Sequence, residues 1–194
     1  MELEVSKRLC ASFVLATLLA IVSLVLPRPS RTLAEYVDTS LYGSGDTLVI
    51  AGLGINAPVN TRNVGDDGKM GDPAGKDDVV RYDFPTMPEL GGYPGMGGTT
   101  VLAGHVDYHP NFTAVFWTLR QATVGMQIDY YRSDGVWVSY AIDWISSSSG
   151  DGDIAEYLVS TSPESMVLIS CEGTFDPSTL HYNNRTLVHA TRIS

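Results

Sequence analysis

The sequence predicts an all-β fold, an antiparallel β-barrel with short helical additions, preceded by one N-terminal membrane helix. Three observations support this prediction: an uninterrupted apolar run near the N-terminus, short apolar stretches that recur between turn residues further along, and a hairpin signal at Asp134-Gly135. The chain has 194 residues, of which 44% are hydrophobic and 18% are charged, and this composition is typical of a folded protein. At this length we expect one globular domain.

The apolar run covers residues 9–26, which contain neither a charge nor a proline. As an α-helix it would be about 27 Å long, close to the thickness of the hydrocarbon core of a bilayer. Lys7 and Arg8 precede it, and we predict an uncleaved, single-pass signal anchor in the cell membrane that places the rest of the chain outside the cytoplasm. A signal peptide cleaved near Thr32-Leu33-Ala34 is the alternative, and it would export the domain as well. The predicted segments are a cytoplasmic tail (1–8), the transmembrane anchor (9–26), a linker (27–45) and the globular domain (46–194).

Acidic residues outnumber basic residues by 22 to 12, so the formal net charge is −10 at pH 7. Proteins that bind nucleic acid need a basic surface that displaces phosphate counterions. We therefore expect no nucleic-acid partner. We also expect the domain to be a monomer once the anchor is removed.

Short apolar stretches bounded by turn residues predict the strands of the barrel. In one of them Val136, Val138, Tyr140, Ile142 and Trp144 share a face, which we expect to belong to the core. The predicted strands lie at residues 48–51, 99–103, 126–131, 136–145, 166–171 and 186–193.

A short helix is predicted in one connection between strands. Phe112, Val115, Phe116 and Leu119 follow the i, i+3, i+4, i+7 spacing of a helix that lies on a sheet. Residues 62–98 are rich in Gly, Pro and Asp, and they are too numerous for a structureless loop. This region therefore contains either hidden short strands or a functional loop.

Only one cysteine, Cys171, lies outside the apolar run, so the exported domain cannot form an internal disulfide. A thiol nucleophile needs a neighbouring imidazole or cation, and hydrogen-bond donors for an oxyanion. His105 and Cys171 each end an apolar strand-like run, and Arg185 opens another. Gly104 is expected to let the backbone turn, so that the imidazole projects from the end of the sheet. Two adjacent strands joined by a loop would bring Cys171 and Arg185 together, whereas only the overall fold can bring His105 to them.

Three segments contain these candidate residues, namely Ala103-Gly104-His105-Val106-Asp107, Leu168-Ile169-Ser170-Cys171 and Arg185-Thr186-Leu187-Val188-His189-Ala190. Together they resemble the His, Cys and Arg signature of the sortases, the membrane-anchored cysteine transpeptidases of Gram-positive-type bacteria. Four further segments are similar in order and spacing to the class E and class F branch of that family. They are Ile55-Asn56-Ala57-Pro58-Val59, Gly68-Lys69-Met70, Pro94-Gly95-Met96-Gly97-Gly98 and residues 115–119. The resemblance covers residues 47–193, nearly the whole domain.

The resemblance implies an eight-stranded β-barrel in which Cys171 attacks the Thr-Gly bond of an LPxTG-like sorting signal and forms a thioester. An amine of a peptidoglycan precursor or of a pilin would then release the acyl group. His105 would act as the general acid and base, and Arg185 would orient the substrate and stabilise the oxyanion. This chemistry requires neither a metal nor an organic cofactor.

The chain departs from the sortase pattern near the nucleophile. Ser170 stands where Thr is usual, and it keeps the hydroxyl. Glu172 stands where glycine is usual in the related branch, and a carboxylate close to the thiol would raise the pKa of the thiol and oppose its activation. Met126 stands where Asp is common.

A metal site is a weaker alternative for part of this sequence. His105, Asp107 and His109 alternate along one segment, but Pro110 follows them and no second group of ligands accompanies them. The loop carboxylates match no spacing of a calcium site, so we expect a solvated acidic loop. They are Asp66, Asp67, Asp72, Asp77 and Asp78.

Two other functions compete with the transpeptidase. One is a thiol hydrolase of the same architecture, in which water rather than an amine resolves the thioester. The other is a non-catalytic anchored module that contacts a glycan or a protein partner through Trp117, Trp137 and Trp144.

Overall fold

The computed structural model of the protein describes residues 45–108, 112–150, 152–176 and 181–194. The predicted tail, the anchor at 9–26 and the linker up to residue 44 lie outside the described residues, as does His109. No helix within the described part of the chain is both long enough and apolar enough to span a bilayer.

The described residues form an all-β structure. Its strands are β1 (Asp46–Ile50), β2 (Ile55–Asn63), β3 (Val79–Asp83), β4 (Thr99–Gly104), β5 (Asp107–Tyr108), β6 (Phe112–Thr113), β7 (Gln127–Tyr131), β8 (Trp137–Ser149), β9 (Ser165–Asp176) and β10 (His181–Arg192). Eight of these strands close into a barrel in the order β1-β2-β3-β4-β9-β10-β8-β7, and β5 pairs with β6 in a separate hairpin. The expectation of an eight-stranded barrel is confirmed.

The prediction of a purely antiparallel barrel is wrong, because the sheet is mixed. Strand β2 pairs with β3 in parallel, and β4 pairs with β9 in parallel. A parallel pair cannot be closed by a tight hairpin and needs a crossover connection. Residues 64–78 form such a connection between β2 and β3. The long irregular region at 62–98 therefore contains one hidden strand, β3, and a connection that the parallel pairing requires.

Strands β7 and β8 form the predicted hairpin. Gly135 in its turn has a φ of 88°, which a residue with a side chain rarely adopts. Val138, Tyr140 and Ile142 are completely or almost completely buried, as predicted for the core face, whereas Val136 is 39% exposed. Trp144 is wrongly assigned to this face: it is partly buried and packs against the apolar cluster on the other face, because the pairing of β8 with β10 shifts register between Ile142 and Trp144. Strand β8 also continues beyond the predicted end. Its last four residues, 146–149, are all serines, and they pair with residues 184–187 of β10 as a serine-rich ribbon.

Alternation along the strands creates two apolar clusters, one on each face of the sheet. The interior cluster fills the barrel and includes Leu102, Tyr140, Leu168 and Val188. The outer cluster lies on the opposite face of β3, β4, β9 and β10, where side chains of the connections cover it. It includes Val80, Val101, Val167, Ile169, Leu187, Ile154 and Leu158. Met126, one of the departures from the sortase pattern, packs against the interior cluster.

The predicted helix in the connection after β6 is wrong. Phe112 lies in β6 and is 62% exposed, and the chain then forms turns that lead into a 3-10 helix at Leu119–Gln121. Phe116 and Leu119 are nevertheless buried in the interior cluster. The apolar spacing was therefore a signal for burial, and successive turns satisfy it as well as an α-helix would.

Candidate active site

Three adjacent strands of the barrel position the three residues that the sequence singles out: Cys171 lies in β9, Arg185 lies in β10, and His105 directly follows β4. Arg185 of β10 pairs directly with Cys171 of β9 in the antiparallel ladder. On the other side of β9, the parallel ladder with β4 runs as far as the pair Ala103 and Ile169. Two residues further along the chain lie Cys171, still within β9, and His105, the first residue after β4. The fold therefore brings the three residues together, with Cys171 in the middle.

The three side chains also share one face of the sheet. His105 follows Val101 and Ala103 in the alternation of β4, Cys171 follows Val167 and Ile169 in β9, and Arg185 precedes Leu187 in β10. All the other members of these rows belong to the outer cluster. The candidate site, formed by His105, Cys171 and Arg185, thus lies at one end of the outer cluster, where the apolar rows end in polar residues.

The strands are tied together next to the thiol. The Ser170 hydroxyl donates to the backbone oxygen of Gly104 at 3.2 Å, which links β9 to β4 one residue before the site. A Cβ atom at Gly104 would lie 2.8 Å from the side chains of both Phe116 and Val115. Gly104 has no positive φ. It is therefore needed for this close approach, and the expectation that it turns the backbone is wrong.

His105 is held by the connection between β2 and β3. Its Nε2 lies 3.0 Å from the backbone oxygen of Pro73, and because a carbonyl oxygen only accepts, Nε2 carries the proton and donates. The adjoining segment is fixed in turn, since Arg62 donates to the backbone oxygen of Asp72 and the Tyr82 hydroxyl donates to that of Gly71. The Phe116 amide donates to the backbone oxygen of His105 at 2.9 Å. The imidazole is therefore oriented by its surroundings.

Cys171 is a free, partly buried thiol. Burial raises its pKa above the usual value, the Arg185 guanidinium opposes this shift, and the carboxylates of Asp72 and Asp107 add to it. The balance keeps the resting thiol mostly protonated at neutral pH. Chemistry at Cys171 therefore needs a base, or a substrate that changes this balance.

A cleft of about 310 Å³ opens beside the thiol. Its walls come from residues 106–107, the segment from Phe116 to Arg120, and the facing parts of β9 and β10, including Cys171 and Tyr182. His105 and Arg185 do not line this cleft. Tyr182 reaches across the cleft, where its hydroxyl donates to Asp107. The thiol thus lies between the outer face, which carries His105 and Arg185, and this cleft.

Sequence reasoning missed the two carboxylates that act on the thiol. The sequence identifies Asp107 only as the end of a motif segment and as a weak candidate for a metal ligand, and Asp72 only as a member of the acidic loop. Neither is close to Cys171 in the sequence, so only the crossover connection and the hairpin after His105 bring them to it. The side chain of Glu172, the expected source of negative charge, lies outside the part that the structure describes. The described residues contain no group of three or more His, Cys, Asp and Glu side chains that could hold a metal ion.

Comparisons with known proteins agree with this fold. A family model described as a sortase domain matches residues 48–193. Sortase D5 of Clostridium perfringens has a similar structure, with a TM-score of 0.55 and 17% identity over 77% of this chain and 78% of that chain. Sortase A of Listeria monocytogenes gives a TM-score of 0.58 and 11% identity over 77% and 86%. A lid mutant of sortase A from Corynebacterium diphtheriae gives 0.55 and 16% over 95% and 93%. No curated protein sequence matches the chain significantly.

Proposed function

Because this chain belongs to the sortase family, whose members are cysteine transpeptidases, we propose that it cleaves an LPxTG-like sorting signal and transfers the acyl part to an amine. The observation that supports this proposal is the arrangement of His105, Cys171 and Arg185 on one face of three adjacent strands. A thiol between an imidazole and a guanidinium is the minimal set for acyl transfer, because it supplies a nucleophile, a proton carrier and a donor for the oxyanion.

In the proposed reaction His105 takes the proton of the Cys171 thiol, and the resulting thiolate attacks the carbonyl carbon of the threonine in the sorting signal. The resulting oxyanion accepts hydrogen bonds from Arg185, whose charge is permanent. His105 donates a proton to the leaving amine, the C–N bond breaks, and a thioester remains on Cys171. An incoming amine then attacks the thioester and gives its proton to His105, the C–S bond breaks, and the released thiolate takes this proton from His105 to restore the resting thiol.

The proposal includes a location and two partners. The anchor at 9–26 would hold the domain at the outer side of the cell membrane, where sorting-signal proteins emerge. The acceptor amine would belong to a peptidoglycan precursor or to a pilin. The order of motifs in the chain supports an assignment to the class E and F branch.

Intact-mass spectrometry of the full-length chain with a panel of LPxTG-like peptides tests this proposal. We expect a mass increase equal to the N-terminal acyl part of a peptide, which hydroxylamine removes and a glycine peptide converts to a ligated product. The variant Cys171→Ala should give no adduct, because alanine cannot form a thioester. The matched control is Cys10→Ala, which removes the other cysteine and should react like the original chain.

Two outcomes would contradict the transpeptidase. Release of free acid at an unchanged rate when amines are added would favour a thiol hydrolase. Absence of an adduct and of cleavage across the panel, together with binding of a peptide or glycan that Cys171→Ala retains, would favour a non-catalytic module.

A further inference from the structure

Arg120 is the cation in the wall of the cleft beside Cys171. Its guanidinium lies over the indole ring of Trp117, 3.9 Å from the ring centroid, and Trp117 lines the same cleft. This distance is well within the range of a cation–π contact. The stack holds a long, exposed side chain in one place at the edge of the cleft.

The other arginine–aromatic stacks among the described residues differ from this one in the partner of the arginine charge. Arg81 and Arg132 both lie over Tyr93, and each also forms an ion pair with a carboxylate, Asp83 and Asp134 respectively. Arg120 forms no ion pair with any carboxylate in the part of the chain that the structure describes. The stack on Trp117 therefore holds a guanidinium whose charge the described residues leave uncompensated.

This lack of a partner is unexpected from the charge of the protein. Carboxylates outnumber cations by 22 to 12, so an exposed arginine meets an acidic partner easily. A carboxylate is present in the same wall, but Asp107 accepts a hydrogen bond from Tyr182 and forms no ion pair with Arg120. The cleft thus contains a positive charge that is positioned by an aromatic ring and neutralised by no described carboxylate.

The geometry of a stacked guanidinium determines what it can bind. The contact with the ring uses the face of the group, and the N–H donors lie in its plane and point outward at its edge. Two parallel N–H donors match the two oxygens of a carboxylate. Because arginine is weakly hydrated and already held in place, little freedom is lost when such a pair forms.

We propose that Arg120, held on Trp117, is a carboxylate-binding subsite of the Cys171 cleft that selects substrates carrying a carboxylate. This inference rests on the proposed transpeptidase function and adds a substrate chemistry to it. The carboxylate has two sources, an acidic side chain of the sorting signal or a carboxylate on the acceptor amine.

The test compares the full-length chain with its Arg120→Gln and Arg120→Lys variants in two half-reactions. The first measures thioester formation by mass spectrometry with the peptide pair LPETG and LPQTG, which differ only in one carboxylate. The second measures transfer to Nα-acetyl-lysine and to Nα-acetyl-lysine amide, whose nucleophilic ε-amines are alike. Lys69→Gln removes a highly exposed charge that lines no cleft described above, and it controls for the change in net charge.

We expect one of the two half-reactions to prefer the carboxylate-bearing partner by about tenfold in KM, the usual effect of a hydrogen-bonded charge pair. Arg120→Gln should abolish the preference, Arg120→Lys should keep part of it, and Lys69→Gln should keep all of it. The half-reaction that shows the preference identifies the source of the carboxylate.

Three results would overturn the inference. The first is equal use of both members of each pair by the original chain. The second is a loss in Arg120→Gln that affects both members of a pair alike, which would indicate a structural role. The third is the absence of any thioester, which would overturn the proposed function as well, whereas the first two leave that function intact.

Discussion

A group that can lose a proton lies at each end of the parallel pairing of β9 with β4: the Glu164 carboxyl at one end and the Cys171 thiol at the other. Their surroundings shift the two pKa values in opposite directions. Glu164, just before β9, is 8% exposed, and burial alone would favour its neutral form. Hydrogen bonds from Tyr140, from the Gly95 and Gly97 amides at 2.8 and 3.0 Å, and from Arg192 at 3.1 Å outweigh burial and lower the pKa of Glu164.

At the other end, burial raises the pKa of the Cys171 thiol, and the charge of Arg185 opposes this shift while the carboxylates of Asp72 and Asp107 reinforce it. The difference between the two ends is the number of donors that meet the acid. Four donors stabilise the buried carboxylate of Glu164, so this charge contributes to the stability of the fold. Around Cys171 the positive charge is too small to offset burial, so the thiol stays protonated and unreactive. The carboxylate that stabilises the fold and the thiol that reacts thus lie at opposite ends of the β4–β9 pair.

The largest expected effect comes from removing the charge at the Glu164 end. Glu164→Gln replaces an acceptor oxygen by an amide group that cannot accept from the loop amides or from Arg192. We expect the free energy of unfolding to fall by about 2–4 kcal/mol. Denaturant unfolding of the variant measures this loss, and Glu89→Gln is a matched control on the solvent-exposed loop. A loss of unfolding free energy no larger than that of the control would show that the Glu164 carboxylate does not stabilise the fold.

The same carboxylate predicts a pH dependence of stability. Because the pKa of Glu164 is lower in the folded state, its contribution is complete above the unfolded pKa of about 4.3 and is lost as the pH falls through the folded value. We expect the original chain to lose stability below about pH 4.3 more steeply than Glu164→Gln does. Parallel acid-unfolding curves for the two proteins would argue against an ionised Glu164 as the source.

The balance of charge around Cys171 predicts opposite effects of two substitutions. Arg185→Gln removes the cation that opposes the shift and should raise the pKa of the thiol further, and Asp107→Asn should lower it. Because the thiolate is the nucleophile, the rate of alkylation by iodoacetamide at pH 8 should fall in the first variant and rise in the second, each by about three- to tenfold. Rates that shift in the same direction would show that access, rather than charge, controls the thiol.

The smallest effect is expected at Ser170, which joins the two strands between these ends. Ser170→Ala removes the hydrogen bond to Gly104 and should lower the free energy of unfolding by about 1 kcal/mol. Ser170→Thr keeps the hydroxyl, so it should retain that bond in the same unfolding measurement. Equal stability of the alanine variant and the original chain would show that the bond does not stabilise the pair.

The sequence predicts a strand correctly where apolar residues alternate along it and are buried in the fold. The rows that end at His105 and Cys171 are short apolar runs, and their alternation identifies both residues as the polar ends of apolar rows. Strand β2 was missed because Pro58 lies within it, and proline is a signal against a strand. In the barrel Pro58 pairs with Thr47 of β1, where the strand tolerates it. The parallel pairing of β4 with β9, which creates the site, has no local signature, because it joins segments that are remote in the chain.

The serine-rich ribbon at the end of β8 has a consequence for Arg185. This residue pairs with Ser148 on one side and with Cys171 on the other, so it lies where β10 leaves the apolar clusters. Segments with few buried apolar contacts open by local unfolding at a lower free energy than the core does. We therefore expect fraying of the ribbon to carry Arg185 away from the thiol and back while the barrel stays closed. The cation that opposes the shift in the pKa of Cys171 thus lies in a part of the sheet whose amide hydrogens we expect to exchange more readily than those of the core.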